Sequence, residues 1–324
     1  MLTAFVCEGK ALRQISEPPD EALRDAAWID LLNPDAGEAH RVAHATGLRI
    51  PSEADLSEIE TSSRLSMEND ALYLAMPLVS RLDAGPRSVP AGFVLSRERL
   101  LTIRFATSRL FDAFVERQFR AETAERGGAH ILVGLLENIV DRQADALEQM
   151  RADLDAISQR IFREGQRLSR KGEDTLLRET LAAIGRTGEV ISYIRDSQLG
   201  ADRIVPYVLG NAKEWLPAEL EPRLNTLRQD IASLKDYDLH LDDKVQFLLD
   251  ATLGFISIAQ NNVVKVLTVA SVAGIPPVLI AGIYGMNFRL IPELDWHWGY
   301  AYALVAIALS TIVPLVWFKL KGWL

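Results

Sequence analysis

Between Ala251 and Asn287 the only charged residue is Lys265, and from Trp298 to Phe318 there is none. A bilayer core takes about 20 apolar helical residues to cross. Val266–Tyr284 and Trp298–Phe318 both meet that length. In lipid the backbone must bond within its own segment, so both runs are expected to be helices. Pro276, Pro277 and Pro314 interrupt them, which membrane helices tolerate when neighbours re-satisfy the freed carbonyls. Trp296, Trp298, Tyr300, Trp317 and Trp323 gather at the ends of the second run, as interfacial aromatics do. The alternative is a pair of buried helices in a soluble protein, where charge-poor runs of this length are rare.

Basic residues orient the spans. Lys265 lies just before the first run, and Lys319 and Lys321 just after the second. The loop Gly285–His297 carries Arg289, Glu293 and Asp295. The positive-inside rule places both chain ends in the cytoplasm and the loop outside. Met1–Lys10 lacks the apolar stretch of a secretory signal.

The 324 residues carry a formal charge of −9. From Val263 onward four basic and two acidic residues leave +2, so the first 262 residues carry −11. An acidic body repels nucleic acid and attracts cations. Cys7 is the only cysteine, which excludes an intramolecular disulfide and a cysteine-rich zinc site. His40 and His44 have the i, i+4 spacing that can share a metal, but no third ligand accompanies them. There is no phosphate loop ending in Gly-Lys-Ser/Thr and no Gly-x-Ser-x-Gly elbow. An enzyme and an organic cofactor are therefore not expected.

Three regions follow from the patterning. Residues 1–127 read as an α/β cytoplasmic domain. Strands are expected at Ala27–Leu32, Ala71–Val79, Phe93–Leu95 and Leu100–Phe105, with a hairpin turn at Ser96–Arg99, and short helices at Ala36–Thr46 and Ser52–Ser57. Residues 128–262 read as helical. Leu132, Leu136, Ile139, Gln143, Ala146, Met150, Leu154, Ile157 and Ile161 recur at three- and four-residue steps, and a second helix covers Asp174–Gln198. Pro206, Gly210 and Pro217 mark a break. A seam then starts at Leu220 and continues through Leu224, Leu227, Ile231, Leu234, Asp238, Leu241, Val245 and Leu248. It leads without interruption into the first span. A helix of about 65 residues would be on the order of 100 Å long. Such a rod needs neighbours, from this chain or other copies. Residues 263–324 form the membrane region, with spans at about 263–284 and 298–318.

Between the spans lies Tyr284-Gly285-Met286-Asn287-Phe288, followed by Pro292-Glu293-Leu294, Trp296 and Gly299. With Gln260-Asn261, Pro276-Pro277, the terminal Lys319–Leu324 and Trp28-Ile29-Asp30-Leu31 near the start, the chain resembles the CorA family of divalent-cation channels. The resemblance implies a homopentameric funnel: an α/β head, long stalk helices, and the first span lining one central pore. It implies Mg²⁺ influx, with Co²⁺ and Ni²⁺ as further cargo, gated by cytoplasmic Mg²⁺. Met286 favours this branch over the related Zn²⁺ transporters, the alternative reading, in which flux is proton-coupled. A membrane-anchored scaffold is a third reading.

Mg²⁺ dehydrates reluctantly. A ring of neutral oxygens around the hydrated ion avoids both stripping its water and holding it too tightly. Gly285, Met286 and Asn287 are the expected selectivity filter, Asn287 giving one amide oxygen per copy. The plainer reading is a helix C-cap with Gly and Asn in left-handed conformations. The expected pore lining is Asn261, Val264, Leu267, Thr268, Ser271, Ile275, Val278 and Gly282. Family members often carry threonine where Val278 stands, so a second polar ring there is not expected. Glu293 and Asp295 would attract cations outside. Asp230, Asp238 and Asp242 on the stalk are candidate regulatory Mg²⁺ ligands, Asp238 being the odd one because it falls on the apolar seam.

Overall fold

The computed structural model describes residues 1–8, 11–58, 60, 64–82, 85–120, 127–164, 170–287 and 296–323. Among the described residues seven strands form one sheet: β1 (Leu2–Glu8), β2 (Ala11–Ser16), β3 (Ala26–Leu32), β4 (Leu65–Glu68), β5 (Ala71–Leu82), β6 (Gly85–Leu95) and β7 (Leu100–Arg104). Their order is β2-β1-β3-β7-β6-β5-β4. All pairs are antiparallel except β3 with β7.

Strand alternation sorts the sheet into two buried faces. Trp28, Leu72, Leu74, Met76, Phe93, Leu95 and Leu100 point one way. They form one core with α4 (Arg109–Arg120), α5 (Gly128–Gln159), α6 (Arg170–Asn211) and the first turns of α7 (Leu220–Tyr284). Ile29, Leu31, Tyr73, Val94, Leu101 and Ile103 point the other way, against Leu23 of α1 (Asp20–Asp25), Val42 of α2 (Ala36–Thr46) and Leu56 of α3 (Glu53–Ser57). The helices approach the sheet closely at two glycines. A Cβ on Gly128 would drive into the backbone of Arg99 and Leu100, and one on Gly200 into Met76.

Trp28 anchors the first face. It stacks on Phe5 at 4.2 Å and meets Phe114 edge-on at 5.8 Å. Its indole N–H donates to Thr102 Oγ1 at 3.0 Å. The Thr102 hydroxyl donates to Asp30 Oδ1 at 2.7 Å, and Arg104 Nη2 donates to Asp30 Oδ2 at 2.7 Å. The one parallel strand pair is thus tied by a buried, hydrogen-bonded charge pair, the form in which buried ions are tolerated.

Several expectations change. The two middle strands are longer than expected, because β5 and β6 continue through Pro77 and Pro90, which face each other in register. Both prolines lie beyond the residues paired to β4 and β7. An outward N–H there would have no strand partner, so its loss costs little. Strands β1, β2 and β4 and helices α1 and α4 are not among the elements expected from the sequence. Helix α6 runs on to Asn211 with Pro206 inside it. Ile204, Val205 and Val208 are fully buried there, and their packing outweighs the roughly 3 kcal/mol that an interior proline costs. A π-type turn, Arg160–Glu164, continues α5.

The chain folds into two compact units: Met1–Arg167 with Glu179–Leu248, and Leu168–Arg178 with Leu249–Leu324. Helix α7 is continuous for 65 residues. Within the first unit, charged pairs join α7 to the other long helices. Arg223 donates to Glu137 at 2.7 and 2.9 Å, Lys235 to Asp202 at 2.8 Å, and Lys244 to Asp155 at 2.5 Å.

The second unit holds the C-terminal part of α7 and helix α8 (Gly299–Leu320). Both helices are long and apolar enough to cross a membrane. Their most apolar windows are only 11% and 6% buried. A core helix of a soluble protein would be mostly buried, so the soluble-core alternative does not fit.

Candidate ion-conduction site

The last turns of α7 carry the site. Its end is set by hydrogen bonds from Gly285 N–H to Ala281 O at 3.0 Å and from Met286 N–H to Ile283 O at 3.2 Å. Among the described residues neither Gly285 nor Asn287 has a positive φ. The left-handed C-cap reading of this tripeptide is therefore not what the chain adopts. A Cβ on Gly285 would meet only the carbonyls of Ala281 and Gly282 in its own last turn, at 3.2 and 3.6 Å. Gly285, Met286 and Asn287 are all exposed.

Residues below the tripeptide can be placed by the helical step of about 100°. Val264, Leu267, Ser271, Ile275, Val278 and Gly282 share one face. Val264, Leu267, Ile275 and Val278 are 59%, 67%, 64% and 72% exposed. Val269 and Ala273, the buried residues of this segment, lie on the opposite face. Exposure is not confined to the face that runs from Val264 to Gly282: Val263, Val266, Leu279 and Ile283 are 67%, 45%, 61% and 50% exposed, so this segment as a whole leaves its large apolar groups bare. Asn261 and Thr268 lie at the edge of the Val264-to-Gly282 face rather than on its midline. Asn261 is exposed, and Thr268 is half-buried with its hydroxyl donating to Val264 O at 2.8 Å.

The other candidates separate. Glu293 and Asp295 lie outside the described residues, as do Phe288 and Arg289. Asp230 is exposed. Asp238 is 1% exposed, and its Oδ2 accepts from Arg195 Nε at 2.6 Å. Asp242 Oδ2 lies 3.3 Å from Arg195 Nη2. Burial raises the Asp238 carboxyl above its ordinary value, against the pull of Arg195. Hydrogen bonding to Asp238 raises the Arg195 guanidinium in turn. Two of the three stalk acids therefore already face a cation. Arg195 was not singled out from sequence, because its partner is 43 residues away and no local spacing signals the contact. His40 and His44 are exposed on α2. No group of three or more His, Cys, Asp or Glu suited to a metal occurs among the described residues.

Comparisons with known proteins agree with this architecture. A family profile described as CorA-like Mg²⁺ transporter protein matches residues 24–320. The magnesium transport protein CorA of Salmonella typhimurium is 30% identical over 326 aligned residues, covering 100% of each chain. The complete structure of the CorA magnesium transporter from Methanocaldococcus jannaschii aligns over 100% of this chain and 99% of that one, with a TM-score of 0.76 and 18% identity. The ZntB cytoplasmic domain from Vibrio parahaemolyticus aligns over 80% of this chain and 96% of that one, at a TM-score of 0.53 and 10% identity. The last two likenesses speak to fold alone. With nearly the whole sequence matched, and with two membrane-length helices joined through Gly-Met-Asn, the chain belongs to the CorA-like Mg²⁺ transporter family, a family of transporters rather than enzymes.

Proposed function

We propose that the chain is a channel that admits Mg²⁺ to the cell, with Co²⁺ and Ni²⁺ as further cargo. In this reading five copies surround one pore in the inner membrane, both chain ends are cytoplasmic, and cytoplasmic Mg²⁺ closes the channel. What supports it is the match to the Mg²⁺ transporter family, together with an α7 that carries exposed Val264, Leu267, Ile275 and Val278 on one face and ends at an exposed Asn287. Copies arranged around an axis would turn that face inward.

Each group then has a task. Five Asn287 amide oxygens meet a hydrated Mg²⁺ without stripping its water. Gly285 lets backbone carbonyls approach the axis, and Met286 packs beside them. Leu267 and Ile275 narrow the path to an apolar constriction that closes by dewetting. Ser271, Thr268 and Asn261 carry the hydrated ion past it. Glu293 and Asp295 raise the cation concentration outside. Inside, five copies of the acidic segment hold about −55, and bound Mg²⁺ offsets that repulsion. Asp230 is the most accessible stalk ligand, since Asp238 and Asp242 already face Arg195.

Expression in a bacterium lacking its own Mg²⁺ uptake tests the reading. The chain should restore growth at low external Mg²⁺. Failure to restore growth with the protein present in the membrane would reject it.

A further inference from the structure

We propose that the lysine-bearing ends of the two spans form a docking surface for an anionic phospholipid headgroup, held by Lys265, Lys319 and Lys321. The proposal rests on the reading of α7 and α8 as membrane spans.

The end of α8 shows why the lysines are available. Gly322 has φ +71°, its N–H donates to Lys319 O at 3.1 Å, and Trp323 N–H donates to Phe318 O at 3.0 Å. This paired arrangement satisfies the last helix carbonyls from the backbone. Lysine ammonium groups are then not needed to cap them. It also folds Trp323 back onto Phe318, ring centroids 5.4 Å apart. Lys321 Nζ rests 4.6 Å from the centre of the Trp317 ring, which holds the charge close to the helix end.

Depth brings in the third lysine. Lys265 lies 19 residues before the end of α7, and Lys319 lies 20 residues after the start of α8. At the helical rise both stand about 30 Å from the connecting loop, the thickness of a bilayer core. Three ammonium groups therefore occupy one membrane surface. Trp317 and Trp323, 51% and 40% exposed, supply the amphipathic rings that settle at headgroup level.

The partner's charge follows from the sign of these three side chains. Lys235 and Lys244 on the stalk each pair with an aspartate. Lys265, Lys319 and Lys321 are exposed, and among the residues whose side chains are described no carboxylate pairs with them. Phosphate at the membrane surface is the complement, and its source is the lipid because the lysines sit where headgroups do.

The full chain is reconstituted in vesicles of equal parts phosphatidylcholine and phosphatidylglycerol. Association of spin-labelled forms of the two lipids is compared by electron paramagnetic resonance. Wild type is expected to prefer phosphatidylglycerol by roughly tenfold. K265Q/K319Q/K321Q should lose the preference and the corresponding arginine variant keep it. An unchanged preference in the glutamine variant, or none in wild type, overturns the proposal. Displacement of phosphatidylglycerol by inorganic phosphate would assign the surface to free phosphate and overturn the lipid assignment. The measurement needs no ion flux, so a failure of Mg²⁺ transport would leave it standing, and the converse holds.

Discussion

Arg195 on α6 donates from Nε to Asp238 on α7 at 2.6 Å, and Asp238 is the only charged residue on an otherwise apolar seam. The pair is buried on the carboxylate side and one-third exposed on the guanidinium side. Asp238→Ala leaves the guanidinium without its main partner and should cost about 2 kcal/mol, below the range for a fully buried pair. Asp238→Asn keeps an acceptor and should change stability by less than about 1 kcal/mol at neutral pH.

The same residue gives a pH dependence of defined sign. Its folded pKa is raised, chiefly by burial. The native state therefore binds that proton more tightly than the unfolded chain. The contribution is favourable in acid and is lost as the pH rises through the folded value. Thermal melts should show wild type gaining on Asp238→Asn as the pH falls from neutral toward the ordinary carboxylate range.

Gly128 opens α5 where the helix touches the start of β7. A methyl group there meets backbone, which cannot move aside as a side chain can. Gly128→Ala should destabilise by roughly 3 kcal/mol. Gly254→Ala meets nothing within 4 Å and is the matched control. Chemical denaturation of the two variants reads the difference.

Asn287→Ala removes the proposed ring of amide oxygens at an exposed position, so the fold should survive. Mg²⁺ uptake should fall at least about tenfold, which corresponds to losing one favourable contact in the path. Unchanged size in detergent would show that assembly is intact.

How far these elements could be read in the sequence varied with the range of their contacts. Helix α7 was legible because its seam repeats locally over many turns. The membrane helices were legible because absence of charge needs no partner to interpret. Pro206 misled because burial of Ile204, Val205 and Val208 decides the helix there, and burial is set by distant residues. Strands β1 and β2 went unseen for the same reason: β1 is defined by pairing with β3. The tripeptide Gly285–Asn287 stood out by its place between two spans. Its backbone conformation could not be read from residue types, and the left-handed alternative stayed open until φ was known. The Arg195 contact that occupies Asp238 joins two helices and leaves no mark in either one alone.

Self-association should match the exposed apolar surface of α7. Mass measurement of the detergent-solubilised protein should give a closed assembly of five copies. A stable monomer or dimer that conducts would reject a shared pore.

Uptake by protein-loaded vesicles, comparing Mg²⁺, Co²⁺, Ni²⁺ and Zn²⁺ with and without a pH gradient, tests the central claim most directly. The account predicts Mg²⁺ entry without a pH gradient, suppressed when the vesicles are preloaded with Mg²⁺ on the cytoplasmic side. Uptake of Zn²⁺ alone, and only down a proton gradient, would contradict it.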